Sequence, residues 1–165
     1  MKKKWIAIVL ICVLVAATVG VGLYVRARQV AQEKQNAITL KAGGKEIVVA
    51  IKDLDKGAFE GETVNGKGER SAHAYRGVEL LALLQEKGID AAKITGVTAV
   101  SADQYTAELT GDEVRTPGRV YLAVEIDSVK VSGIDAGADG VQMIVFGDEN
   151  MRRSVRNLAV IEAAE

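Results

Sequence analysis

From Trp5 to Val25 the chain reads WIAIVLICVLVAATVGVGLYV, without a single charged residue. At ~1.5 Å rise per residue, a helix of this length matches the ~30 Å hydrocarbon layer of a bilayer. The run has no polar face, so it does not fit a helix half-buried in a water-soluble core. Trp5 and Tyr24 stand at its two ends, where amphipathic rings favour the membrane interface. The expectation is a single transmembrane anchor over residues 5–25. Lys2, Lys3, Lys4 and the α-amino group precede it, against Arg26 and Arg28 after it. That balance places the N-terminus in the cytoplasm and the C-terminal part on the extracytoplasmic side of the cell membrane. A cleaved signal peptide is the competing reading, with Val15-Ala16-Ala17 as its small-residue site, although a signal core spans only ~7–15 residues. A lipoprotein reading of Cys12 meets apolar Leu10 and Ile11 where small residues are expected.

Cys12 is the chain's one cysteine and His73 its one histidine. No intramolecular disulfide can form, and no thiolate is available after the apolar run. Zinc, haem-attachment and iron–sulfur patterns therefore cannot be assembled, and Cys–His catalysis is excluded. A Ser–His–acid triad would have to use His73 without any nucleophile motif in support. The segment GETVNGKGERS contains Lys67 but lacks the GxxxxGK[ST] spacing of a phosphate loop. The chain carries 21 Lys and Arg against 22 Asp and Glu. Setting aside the three amino-terminal lysines leaves 18 basic residues, without the concentrated basic face that nucleic acid requires.

After the anchor, RARQVAQEKQNA (26–37) is polar and rich in helix formers, and reads as a juxtamembrane linker helix. From Ile38 the pattern turns to β. ITLKAGGKEIVVAI is two alternating runs joined at Gly43-Gly44, a hairpin signal. KGAFEGETVNGKGERS (56–71) reads as a glycine-rich loop over a pocket, with Asn65-Gly66 as a turn. GVELLALLQEKG (77–88) reads as the main helix, its apolar stripe Val78, Leu81 and Leu84, and Gly88 as its stop. ITGVTAVSA and YTAEL form a second hairpin, and Thr110-Gly-Asp-Glu has the polar cap and early acids of a helical turn. VYLAVEI, VQMIVFG and LAVIEA supply further strands. The count is one main helix and seven or so strands, an α+β domain over 38–165 with a mixed or antiparallel sheet.

Two constellations carry chemistry. In SAHAYRG, Ser71, His73 and Tyr75 alternate along a strand and share a face. In GDENMRRSVRN, Asn150, Arg152, Arg153, Arg156 and Asn157 concentrate donors just after a strand. The planar arginine fork suits a phosphate, a carboxylate or a flat heterocycle. A solvated surface with modest ion pairing stands beside that reading for both clusters.

The order of these pieces resembles the oxidoreductase molybdopterin-binding domain, the sulfite-oxidase-like fold, in a small membrane-anchored form. YRGVELLALLQEKGID (75–90) is similar to that family's helix entry, VTAVSADQYTAEL to its strand, turn and strand, VYLAVEIDS to its strand and turn, and VQMIVFGDENMRRSVRNLAVIE to its closing strands and arginine-containing loop. The resemblance implies a groove suited to a pterin, or to molybdopterin without bound metal. The family's molybdenum-ligating cysteine belongs in the segment that reads ETVNGKGERSAHAY here, where no thiol exists. Gln104, Ser128 and Phe146-Gly147 also depart from the family's turn residues. Small non-catalytic members of the family look like pterin binders that signal to a membrane-bound enzyme, and this chain is most similar to them. By that resemblance the ligand-binding residues are His73, Tyr75, Asp103, Tyr105, Arg152, Arg153 and Arg156, with no catalytic or metal site. Tyr105 either stacks on the ligand at the groove rim or packs the hairpin. The implied partners are the membrane and a membrane-bound signalling or redox protein. Two alternatives remain: a ligand-free interaction module of a membrane complex, for which an aromatic content of 4% looks thin, and an accessory subunit of a molybdopterin oxidoreductase.

Overall fold

In the computed structural model, residues 36–149 and 151–165 are described. The anchor expected over 5–25 and nearly all of the linker expected over 26–37 lie outside them. Among the described residues, no helix is long and apolar enough to cross a membrane.

Gly43 and Gly44 take φ of 52° and 73°, the paired positive values of a type I′ turn. They join β1 (Ala37–Ala42) to β2 (Lys45–Ala50), as their sequence predicts. A second hairpin, β5 (Gly96–Ser101) with β6 (Thr106–Thr110), also falls where its alternation places it. These hairpins share no ladder. The last strand, β10 (Leu158–Ala164), lies between them, parallel to β1 and antiparallel to β5, giving the five-stranded order β2-β1-β10-β5-β6.

The second sheet has the order β3-β4-β7-β8, with β9 also on β7. Its strands are β3 (Gly57–Val64), β4 (Arg70–Glu79), β7 (Val120–Ile126), β8 (Val129–Lys130) and β9 (Gln142–Val145). Here two expectations are corrected. The stretch 56–71 is not a loop but most of a long hairpin, Gly57↔Gly77 through Val64↔Arg70. Its turn is at Asn65, whose Oδ1 accepts from the backbone N–H of Lys67 at 2.9 Å and of Glu69 at 3.0 Å. The main helix, α1 (Leu80–Glu86), starts three residues later than its periodicity suggests, because Gly77, Val78 and Glu79 stay in β4 and pair with Ala123, Leu122 and Tyr121. Gly77 permits that pairing: a Cβ there would stand 2.0 Å from the Leu122 carbonyl oxygen. The helix ends as predicted. Gly88, at φ 71°, donates to Gln85 O and Ile89 to Leu84 O, the two bonds of a Schellman motif.

The short helix α2 (Gly111–Arg115) opens on the predicted cap, a complete capping box between Thr110 and Glu113. The described residues form ten strands rather than about seven, so the α+β expectation holds with more sheet than foreseen. One core takes side chains from both sheets and from α1: Ile38, Leu40, Val97 and Ile161 from the first, Val78, Leu122 and Met143 from the second, and Leu80, Leu83 and Leu84 between.

Gly77→Ala is expected to cost ~1–3 kcal/mol, the range for overpacked sites, because backbone rather than a movable side chain meets the new methyl. Gly57→Ala, whose Cβ would meet nothing within 4 Å, is the control. Urea unfolding of both variants checks this, and equal midpoints would refute the close β4–β7 approach.

Candidate functional site

Along β7 the side chains alternate between two apolar environments. Val120 and Leu122 enter the main core, while Tyr121 and Ala123 face the other side of the second sheet. There Ala123, Ile144 and Tyr75 form a separate buried cluster, with Phe59, Ile126 and Phe146 packed against it. Phe59 stacks on Tyr75 at 5.1 Å between ring centroids and on Tyr121 at 4.1 Å. Phe146 meets Tyr75 and Tyr121 edge-on at 5.7 and 5.6 Å, within the range where aromatic pairs attract beyond simple burial. Gly61 makes room for this, since a Cβ there would lie 2.2 Å from the Phe146 ring. Tyr75 is buried, whereas Phe59, Tyr121 and Phe146 are half-buried. Burial pushes the Tyr75 phenol up, against a hydrogen bond with Thr63 that pulls it down.

His73 stands beside this aromatic face, its ring 6.0 Å from that of Tyr75. The shared strand face predicted for the two is therefore real. Its Nδ1 lies 2.6 Å from Asp127 Oδ2, and the His73 bond is the main cause that holds the Asp127 carboxyl below the usual range. Ser71 is exposed.

At the other end, Arg153 donates to both oxygens of Asp148, at 2.9 and 2.5 Å, and to Glu113 Oε2 at 3.0 Å. Arg119 donates to Asp148 Oδ1 at 3.0 Å, to Glu113 Oε1 at 3.3 Å, and to the Phe146 carbonyl. The Arg153 fork is thus already taken by carboxylates. Hydrogen bonding from Arg153, above all, lowers the Glu113 carboxyl to about 2 against the opposing effect of burial. A cleft of about 440 Å³ beside this network is lined by Arg119, Gly147, Asp148, Glu149, Arg152 and Arg153.

Of the remaining predicted residues, Arg152 lines that cleft and Asp103 and Tyr105 lie in the turn tied to it. The exposed Tyr105 hydroxyl donates to the Arg152 carbonyl, so Tyr105 neither packs the sheet nor stands alone: it ties the β5–β6 turn to the arginine segment. Asp103 accepts from the Ser101 hydroxyl and, at 3.4 Å, from Tyr105 N–H. The Ser101 bond chiefly draws its carboxyl down, and its role in the structure is to shape the turn in which Gln104 takes φ 71°. Arg156 is exposed and does not line the cleft. Phe146, followed by Asp148, connects the histidine end to the arginine end.

Sequence reasoning missed Phe59, Tyr121, Phe146, Asp127, Arg119 and Glu113. One signal was available: VYLAV is apolar at both odd and even positions, the mark of a strand covered on both faces.

No protein-family model and no curated protein matches the chain. Among solved structures, the sulfane dehydrogenase SoxCD from Paracoccus pantotrophus is similar, with a TM-score of 0.62 and 15% sequence identity over 79% of this chain. The matched part spans 38% of that chain. The likeness is one of fold alone, and the mixed α+β, mostly sheet architecture is consistent with the sulfite-oxidase-like fold that the sequence resemblance implies.

A depressed carboxyl contributes stability that is complete above its unfolded value and is lost as the pH falls toward the folded one. For Glu113 that window runs from 4.5 down to about 2. Stability should fall on acidification through this range, and Arg153→Met should lower stability at neutral pH while flattening the acid limb. Urea titrations at several pH values test it, and an unchanged acid limb in the variant would count against the network.

Proposed function

We propose that this is a membrane-anchored extracytoplasmic domain that binds a pterin or a similar flat heterocycle without catalysing a reaction, and passes the ligand state to a membrane-bound signalling or redox partner. The observation that carries the reading is the aromatic face of the second sheet. Phe59, Tyr121 and Phe146 stay half-buried there, beside a histidine held by a carboxylate. Half-exposed rings offer π faces and edges to a flat ligand, and His73 offers an in-plane polar contact. The adjoining cleft, at about 440 Å³, lies in the ~300–1,000 Å³ range of small-molecule sites. The sulfite-oxidase-like fold supports a pterin as the heterocycle. Molybdenum does not fit: no cysteine follows Cys12, and no group of His, Cys, Asp and Glu suited to a metal occurs among the described residues.

A second reading, a docking module for a membrane complex, gains from the same face. The aromatic content is low overall, yet every aromatic residue after the apolar run except Tyr105 is gathered there, and clustered aromatics are what binding hot spots use.

The full chain, purified in mild detergent, should yield a fluorescent pterin on acid extraction without molybdenum, or gain thermal stability with added pterin. Ligand at a hundred times its Kd would add ~2.7 kcal/mol. Phe59→Leu should weaken binding ~2–12-fold, the equivalent of ~0.5–1.5 kcal/mol per aromatic pair. An empty protein that ignores oxidised and reduced pterins, yet co-purifies stoichiometrically with a membrane complex, would favour the docking reading.

A further inference from the structure

Asp127 is not a loose surface acid. It occupies the first corner of the two-residue turn between β7 and β8, at φ 50°, with Ser128 at 64°. Its backbone N–H donates to Ala74 O at 2.8 Å, and its Oδ1 accepts the Ala74 N–H at 3.0 Å. Both main-chain groups of Ala74 are therefore engaged by one residue, which fixes the carboxylate plane. Oδ2 is left facing His73 Nδ1 at 2.6 Å.

The chemistry of that contact decides the tautomer. An ionised carboxylate can only accept, so the proton of a neutral imidazole must sit on Nδ1. Nε2 then keeps a bare lone pair. The ring is two-thirds covered and lies edge-on to Tyr75 at 65°, so its position and, for the neutral ring, its hydrogen-bonding sense are set before any ligand arrives. A ligand stacked on the neighbouring rings would meet an acceptor at this point, not a donor.

We propose that His73 is a pre-set hydrogen-bond acceptor at the rim of the aromatic face, and that the ligand presents an N–H edge to its Nε2. This rests on the reading that the face takes a flat heterocycle, and it selects among such heterocycles: those with a ring N–H or exocyclic amino group bind, while isosteres with that edge methylated are refused. The partner group left unpaired in the complex is the source of the selectivity.

The chain's one histidine makes the tautomer directly observable. Full-length protein labelled with ¹⁵N-histidine, in detergent at pH 8, gives one imidazole in a two-bond proton–nitrogen correlation. Protonated Nδ1 and bare Nε2 are expected. Asp127→Asn should invert the pattern, because the Ala74 N–H keeps the amide oxygen in place and turns the amide NH₂ toward Nδ1. Pterin and 1,3-dimethyllumazine, which has no N–H in its pyrimidine ring, are then titrated against the parent. Pterin should bind about tenfold or more tightly, as one lost hydrogen bond implies, and Asp127→Asn should erase the difference. Bare Nδ1 in the parent overturns the proposal without any ligand being added. The expected tautomer with equal affinity for both probes overturns the acceptor role while leaving the heterocycle reading standing. Binding of neither probe overturns that reading and the ligand edge with it. The first and second measurements on the parent need no variant to fold.

Discussion

The hairpins β1–β2 and β5–β6 become one sheet only when the final strand lies between them. Thr39 pairs with Val160, and Val160 in turn with Val100, so β10 bonds on both edges to strands far away in sequence. Ile161 is fully buried at the centre. Such non-local pairing must bear the loop-closure entropy before any contact compensates it. The path to β10 is equally constrained. The chain has to leave β9 in the second sheet and cross to the middle of the first, and the crossing is pinned by a bridge between Met143 and Val155 and by Ala102 donating to Asn157 O. Phe146, Asp148, Arg152 and Arg153 all ride on that crossing. The site's arginine end is placed by topology before any question of ligand arises.

Charge brought into such a crossing needs partners. The Asp148 side chain is only 10% exposed and that of Glu113 21%. A buried carboxylate without a counter-ion is costly, and Arg119 and Arg153 supply the compensation as a four-residue lattice. It also joins the sheets, since Glu113 opens α2 after β6 while Arg119 leads into β7. Glu113 serves twice: the carboxylate that completes the capping box on Thr110 N–H also accepts from Arg153. Arg153, read from sequence as a ligand donor, is engaged by Asp148 five positions earlier and by Glu113 forty positions earlier, and the second distance is one that no local spacing reveals.

The legible parts of this fold are those whose cause is local. Gly43-Gly44, Gly88, Asn65-Gly66 and the Thr110 to Glu113 spacing each act within a few residues, and each appears where it was expected. The misread parts have distant causes. Glycines in 56–71 suggest a loop until the Phe146 ring is placed over Gly61, at which point the small residue becomes what a strand needs there. Val78 fits an i, i+3 helical stripe and a strand alternation equally well, and only the ladder to Leu122 decides between them. His73 and Tyr75 were legible as a pair because strand alternation is local, whereas Asp127, which gives His73 its chemical sense, sits 54 positions away.

These placements divide the proposed site into two unlike halves. At the cleft, Arg119, Arg152 and Arg153 stand close to Asp148, Glu149 and Glu113, so the local charges balance and the guanidinium forks are largely committed. Electrostatic attraction offers little to draw an anionic ligand there. At the histidine end the rings are grouped, partly accessible and edged by a group with a defined hydrogen-bonding sense. Stacking there is tolerant of ring identity, whereas a fixed acceptor is not. On the proposed reading, affinity comes from the shape of a flat ring and discrimination from one imidazole nitrogen. The neutral arginine end holds the β9–β10 crossing, and with it Phe146, where the rings need it.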